Sequence, residues 1–430
     1  MASRAGSNRR LGRQVRIHYY KQFFSGPEAP GSQQPRKLVR ALADCGHQVE
    51  VIACDFNAYN EQSEPEEVLS LPTGGSVHVH RLRSPRRLRS SLVARLRSYV
   101  RFVLPALRQG LALERPDLVI ASIQPLFTAW SARRVARRRG SPWLLEVRDL
   151  WPDALEAKGA VTAWQARPLQ ALAASLYSSA DRMVSITPGI KLELVKKGLN
   201  PGSIDVFPNG FDPELFRIEP GTREHERQRM GWQGAFVCLF TGTHTEVTAV
   251  ETIVRTAACL RAHGDIRFDL VGYGHTKPRA MALAQELGLG NIHFHDPVPK
   301  TRIPALLAAA DVCLMTLFES PLIHIYFENK LMDYLGSGKP VLAAMGGQQA
   351  ELLRRSGAGR VVPAFDHEGL ARLVTEAAGD RQGLTALGEN GRRLVERHLL
   401  LPDILQRYVA VVEAVAAGRA AAVPAWEPQL

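Results

Sequence analysis

Apolar residues in this chain gather in short unbroken runs, separated by stretches with helical spacing. One series of strand candidates is Val15–Tyr20, Val49–Ala53, Leu118–Ser122, Trp143–Val147, Arg182–Ile186 and Ile204–Phe207. A second is Phe236–Phe240, Phe268–Val271, Ile292–His295, Val312–Thr316 and Val341–Ala344, with one more strand expected beyond Gly357. Runs without alternation suit strands buried on both faces, as in a parallel sheet covered by helices. Helical patterns fall between them, at Pro35–Cys45, Pro188 to about Gly198, Ile303–Ala309, Glu328–Leu335, His367–Ala378, Leu384–Arg397 and Leu405–Val415. This alternation predicts an α/β fold of two doubly wound, Rossmann-like halves. The polar residues 55–76 are expected as a loop and 419–430 as a loose tail.

One helical pattern stands apart. Leu92, Val93, Leu96, Val100, Val103, Leu104 and Leu107 recur among arginines between Arg81 and Arg115, with a break expected near Pro105. Such a helix either packs its apolar face and leaves the cations in water, or docks on anionic lipid or a lipid-pyrophosphate acceptor.

Composition sharpens the picture. A chain of 430 residues exceeds the roughly 250 to 300 that one core supports, so two domains are expected. Five scattered cysteines give neither a disulfide framework nor a zinc spacing. The basic leader, residues 1–14, is expected to be disordered; it lacks the apolar stretch of a signal peptide, and no transmembrane run appears. These features favour the cytoplasm, with peripheral contact at the inner face of a membrane as an extension. The net charge of +12 lies entirely in residues 1–215, which hold 31 Lys and Arg against 19 Asp and Glu, whereas the remainder holds 23 of each. No nucleic-acid motif accompanies that charge, so no nucleic-acid partner is expected. Gly26 and Gly31 lack the dinucleotide spacing, which disfavours hydride transfer.

The richest stretch is Phe327–Ala344, FENKLMDYLGSGKPVLAA, a helix feeding a buried strand through a Gly and Pro turn. Crossover units of this kind bind ligands at strand carboxyl ends and helix amino ends. Lys330 and Asp333, three apart, share a helix face near the positive pole, where a cation suits phosphate and an acid suits sugar hydroxyls. The alternative is a solvated surface ion pair.

Lys330, Asp333, Tyr334, Gly338, Lys339 and Pro340 resemble the donor-binding motif of retaining family 4 glycosyltransferases, above all the bacterial amino-sugar transferases of O-antigen and capsule pathways. The run Arg148-Asp149-Leu150-Trp151-Pro152 resembles a cleft-facing segment of the same enzymes, and Pro208-Asn209-Gly210 their exit from the first domain. The resemblance implies a GT-B fold, two domains facing a central cleft: an N-terminal acceptor domain at 15–208, a linker at 209–232, a nucleotide-sugar domain at 233–398, and a helix at 399–418 returning to the first domain. It implies a catalytic set of Asp149, Lys330 and Asp333. Donor contacts are expected from Gly242, Thr243, His244, Gly272, Gly274, Val298, Pro299 and Glu328 as well as Lys330 and Asp333, and acceptor contacts from Gly31, Ser32, Arg148 and Trp151. Three departures stand out. The family's first acid falls on Ile325, leaving Glu319 and Glu328 as substitutes; its diphosphate lysine is missing from Glu246-Val247-Thr248-Ala249, which shifts that task to Lys330 with His244 as helper; and Asp296 replaces a loop glycine.

The expected reaction is retaining, metal-independent transfer of a hexosyl or N-acetylhexosaminyl group from a nucleoside diphosphate sugar, UDP before GDP. An N-acetylhexosamine such as N-acetylglucosamine is the subfamily's pattern; no Asp-x-Asp motif appears, and no cofactor is expected. The acceptor is a lipid-linked saccharide of cell-surface polysaccharide assembly, or a small-molecule secondary metabolite such as an antibiotic. Two rivals share the architecture: a UDP-sugar 2-epimerase and a non-catalytic nucleotide-sugar binding protein.

Overall fold

The computed structural model describes residues 13–27, 29, 33–86, 92–153, 156, 161–422 and 424–427. The chain forms two compact units, one up to Phe207 joined by Leu405–Glu427, the other Pro208–Ile404.

The described residues of the first unit form an eight-stranded sheet of β1 (Arg16–Tyr20), β2 (Gln48–Cys54), β3 (Glu67–Ser70), β4 (Ser76–Leu82), β5 (Leu118–Ser122), β6 (Trp143–Val147), β7 (Arg182–Ser185) and β8 (Ile204–Val206), in the order β3-β4-β2-β1-β5-β6-β7-β8. All neighbours are parallel except β3 and β4. Strands β5 to β8 are buried at every residue, which is why they read as unbroken apolar runs. The strand order reverses between β1 and β5, which opens a crevice at their carboxyl ends.

Three expectations are corrected in this unit. The polar segment 55–76 contains strand β3, an antiparallel edge strand that buries little and so carries no apolar signal. Pro105 does not break its helix, which runs Leu92–Ala112; the carbonyl it frees belongs to exposed Arg101 and can bond to water. Nor is the described part of 419–430 loose. Trp426 stacks on Phe207 at 5.0 Å, its carbonyl accepts the Val206 N–H at 2.7 Å, and its own N–H donates to Asp205 at 2.8 Å.

In the second unit β9 (Phe236–Thr241), β10 (Ile266–Val271), β11 (Ile292–His295), β12 (Val312–Thr316), β13 (Val341–Ala344) and β14 (Gly359–Val362) form a wholly parallel sheet, ordered β11-β10-β9-β12-β13-β14. Its reversal lies between β9 and β12. The segment 209–232, set apart by the sequence as a linker, packs onto this unit. Phe211, Phe216 and Trp232 join its core, and the helix Thr222–Met230 sends Arg223 and Arg227 to Asp311 at 2.6 and 3.1 Å. That helix has no apolar stripe; it is held by ion pairs, so its charge imitated a solvated tether. No described helix is long and apolar enough to cross a membrane.

Candidate active site

The helix Asn329–Gly336 begins in the second unit beside the β9–β12 reversal, after an N-cap Glu328 whose side chain makes no capping bond. The Leu331 N–H donates to the Glu328 carbonyl at 3.1 Å, and the two amides before it, of Asn329 and Lys330, are the ones a ligand can take. Lys330, on that first turn, is 9% exposed. Its Nζ lies 3.6 Å from Glu328 Oε2 and 4.3 Å from the centre of the Phe240 ring. A Cβ added to Gly242 would come within 3.1 Å of the same Nζ, so the amine packs against bare backbone at the end of β9. Burial lowers the amine's pKa below the ordinary lysine value, while Glu328 pulls it upward.

One turn on, Tyr334 fixes the helix to the strand. Its buried hydroxyl accepts the Thr241 N–H at 2.8 Å and bonds the Thr241 hydroxyl at 3.1 Å. Behind the helix, Phe211 presses on Gly336, where any Cβ would lie 2.3 Å from the ring.

The loops after β9 and β10 interlock. The Gly242 N–H donates to Val271 O at 2.9 Å and the His244 N–H to Tyr273 O at 2.8 Å. Gly272 and Gly274 have φ of +153° and +156°, and a Cβ on either would lie 1.8 Å from Gly242 O or 1.9 Å from His244 O. Only glycine permits this approach. His244 is fully buried, and neither ring nitrogen has a hydrogen-bond partner. Burial, then Lys277 and Lys330, push its pKa down to about 4, so the imidazole is neutral at physiological pH.

Asp333 meets Lys300, its ion-pair partner, whose ammonium also lies 5.4 Å from the Phe216 ring centre. Glu328 stands beside Lys330, whereas Glu319 is exposed. Ile325, the position of the family's first acid, is buried at 4% exposure, where an unpaired carboxylate would be costly. Thr243 is exposed, Val298 packs on the core, and Pro299 leads into the turn Lys300–Arg302.

In the first unit Gly31 and Ser32 lie outside the described residues, as does most of the leader. Arg148 donates to Gln34 Oε1 at 2.5 Å, Asp149 accepts the Leu150 N–H at 2.9 Å, and Trp151 stands edge-on to Tyr99 at 6.1 Å. Sequence reasoning missed Lys21 at the end of β1. Burial, then Arg148, push its pKa down to about 8, and it donates to Ser122 at 3.0 Å at the β1–β5 reversal. It also missed Glu146, buried and bonded to the hydroxyls of Tyr19 and Tyr408 at 2.7 and 2.8 Å, and Lys277, which donates to the carbonyls of Gly272 and His295 at 3.0 and 2.8 Å. Lys277 had a signal: a cation in the first turn of a helix opposes the helix dipole.

Residues 31–210 match the model of the glycosyl transferase 4-like domain, and residues 235–380 that of the glycosyl transferases group 1. The chain belongs to the glycosyltransferases. It is 25% identical to WbjE of Pseudomonas aeruginosa, named as a glycosyltransferase, over 69% of this chain and 74% of that one. It is also 25% identical to WcaI of Escherichia coli K12, named for glycosyl transfer in colanic acid biosynthesis, over 69% and 73%. The fold of this glycosyltransferase is GT-B. It matches sucrose-phosphate synthase of Thermosynechococcus elongatus with a TM-score of 0.73 at 19% identity, covering 94% of this chain and 100% of that one. It matches Anabaena HepE in complex with UDP-glucose with a TM-score of 0.68 at 17% identity, covering 93% and 100%.

Proposed function

We propose that this glycosyltransferase moves a hexosyl or N-acetylhexosaminyl group from a nucleoside diphosphate sugar, UDP before others, to a hydroxyl of a lipid-linked saccharide in cell-surface polysaccharide assembly, with retention at the anomeric carbon. The observation that carries this reading is the buried Lys330 amine, held by Glu328 and Phe240 beside the uncapped start of a helix. A diphosphate there meets one ammonium, first-turn amides and the glycine backbone after β9 and β10. Charge that grows on the leaving phosphate is absorbed by fixed donors in a dry setting, and the residues provide for this without a metal. Neutral His244 offers a further N–H. HepE, named with UDP-glucose, supports a uridine donor; WcaI, named for colanic acid, supports a polysaccharide product.

The lipid-linked acceptor rests on the helix Leu92–Ala112. Its buried face is Ser98, Phe102, Ala106 and Gly110, and the apolar stripe points outward: Val93, Leu96, Val100 and Leu104 are 76%, 39%, 50% and 50% exposed. Exposed Arg97, Arg101 and Arg108 follow along one side of that stripe. Apolar side chains edged by guanidinium groups fit an anionic lipid surface.

The test is release of nucleoside diphosphate from a panel of donors, with polyprenyl-linked saccharides as acceptors and a chelator present. Acceptor-dependent release from a UDP-hexose or UDP-N-acetylhexosamine, lost in Lys330→Ala, supports the reading. Sugar interconversion without release would point to an epimerase, and tight donor binding without turnover to a binding protein.

A further inference from the structure

We propose that the first unit binds a divalent transition-metal ion, zinc in first place, on Glu50, His78 and His80. The three belong to neighbouring parallel strands. In the β2–β4 register Glu50 faces His78, and His80 lies two residues on, on the same face. Glu50 Oε2 is 2.6 Å from His80 Nε2 and 3.7 Å from His78 Nδ1, and the three ligand atoms lie within 4.8 Å of one another. Zinc bonds of about 2.0 to 2.1 Å place tetrahedral ligands roughly 3.3 Å apart, so small side-chain rotations about the present positions admit the ion.

The surroundings fit the same chemistry. His80 Nδ1 lies 3.2 Å from the Gln109 amide. With Nε2 on a metal, Nδ1 carries the proton and donates it to the amide oxygen after a flip, the outer support that orients a ligating imidazole. His18 is the next residue in the row, paired with Glu50 in register and fully buried. Neither of its ring nitrogens has a hydrogen-bond partner within normal geometry. A buried imidazole left this way walls a polar site. Two imidazoles and one carboxylate, with a coordination position left for water, suit zinc and its neighbours rather than the oxygen-seeking magnesium or calcium. The ion staples β2 to β4, a structural role.

Full-length protein stripped with chelator and then titrated with Zn2+, Co2+ and Mg2+ tests this. Expected are one equivalent of zinc per chain, one of cobalt with visible d–d absorption, no magnesium binding, and a melting temperature raised by zinc. His78→Ala, at a side chain 37% exposed and so removable without disturbing the core, should weaken zinc binding by more than about ten-fold, as should Glu50→Gln. His263→Ala, at an exposed position elsewhere, should leave it unchanged. No saturable single-equivalent binding, or affinity kept within about two-fold in both His78→Ala and Glu50→Gln, would overturn the proposal.

Discussion

The Lys330 ammonium sits 4.3 Å from the centre of the Phe240 ring, so a strand residue of β9 holds the cation at the start of the helix Asn329–Gly336. An aromatic face stabilises a desolvated cation without neutralising it, and with Glu328 at 3.6 Å it holds the charge where the proposed function needs it.

Lys330→Ala should lower turnover, read as nucleoside diphosphate release, by about 100- to 1,000-fold while the melting temperature holds or rises, because a desolvated amine is removed. The pH profile carries a sign. The folded pKa lies below 10.5, so between the two values the unfolded chain binds more protons and stability rises with pH. Activity should fall over the same window, as the ammonium is lost earlier than from a solvated lysine. Turnover and urea midpoints measured from pH 7 upward test both trends.

Tyr334→Phe removes the acceptor of the buried Thr241 N–H. The expected cost is about 1 to 3 kcal/mol in urea unfolding, together with a raised KM for the donor, since Thr241 leads directly into Gly242.

Asp311 accepts the Val237 N–H at 2.8 Å and pairs with Arg223 and Arg227. Burial acts to raise its pKa, but the Val237 bond and the arginines outweigh it and leave it below 3.8. Its contribution is therefore present above that value and lost as pH falls through the folded one. Asp311→Asn should cost about 3 kcal/mol at neutral pH and release the helix Thr222–Met230 to proteolysis.

Replacing Val100 and Leu104 together by Asp should reduce cosedimentation with anionic vesicles by about ten-fold or more. Both side chains are half exposed, so the melting temperature should barely move. Equal binding by the double variant would remove the lipid surface from the account.

Deleting residues 419–430 removes the Trp426 stack on Phe207 and the Ala420 carbonyl that accepts from Arg182 at 2.9 Å. A loss of about 2 to 4 kcal/mol is expected, measured by denaturant unfolding.

The sheets were legible because strands buried on both faces leave contiguous apolar runs, and Val312–Thr316 and Val341–Ala344 lie where the pattern placed them. Helices with small buried faces were not. Leu126–Arg139 buries Thr128, Ala129, Ser131, Ala132 and Ala136, which give little hydrophobic contrast. The helix Thr222–Met230 was hidden for a related reason: charge, not apolar area, attaches it. At the candidate site the local motif around Lys330 could be read, but its partners could not. Phe240, Lys300 and Lys277 come from a strand, a turn and another helix, and only the folded sheet brings them near. The outward stripe of the helix Leu92–Ala112 was also beyond sequence, since periodicity marks a face without saying which way it points.

The contact of Gly272 against the Gly242 carbonyl also bears on engineering. Since not even an alanine methyl fits there, directed-evolution libraries meant to change sugar preference should hold positions 242, 272 and 274 constant. Their diversity belongs at 319–322, outside the glycine interlock, where Glu319 and Pro321 are exposed.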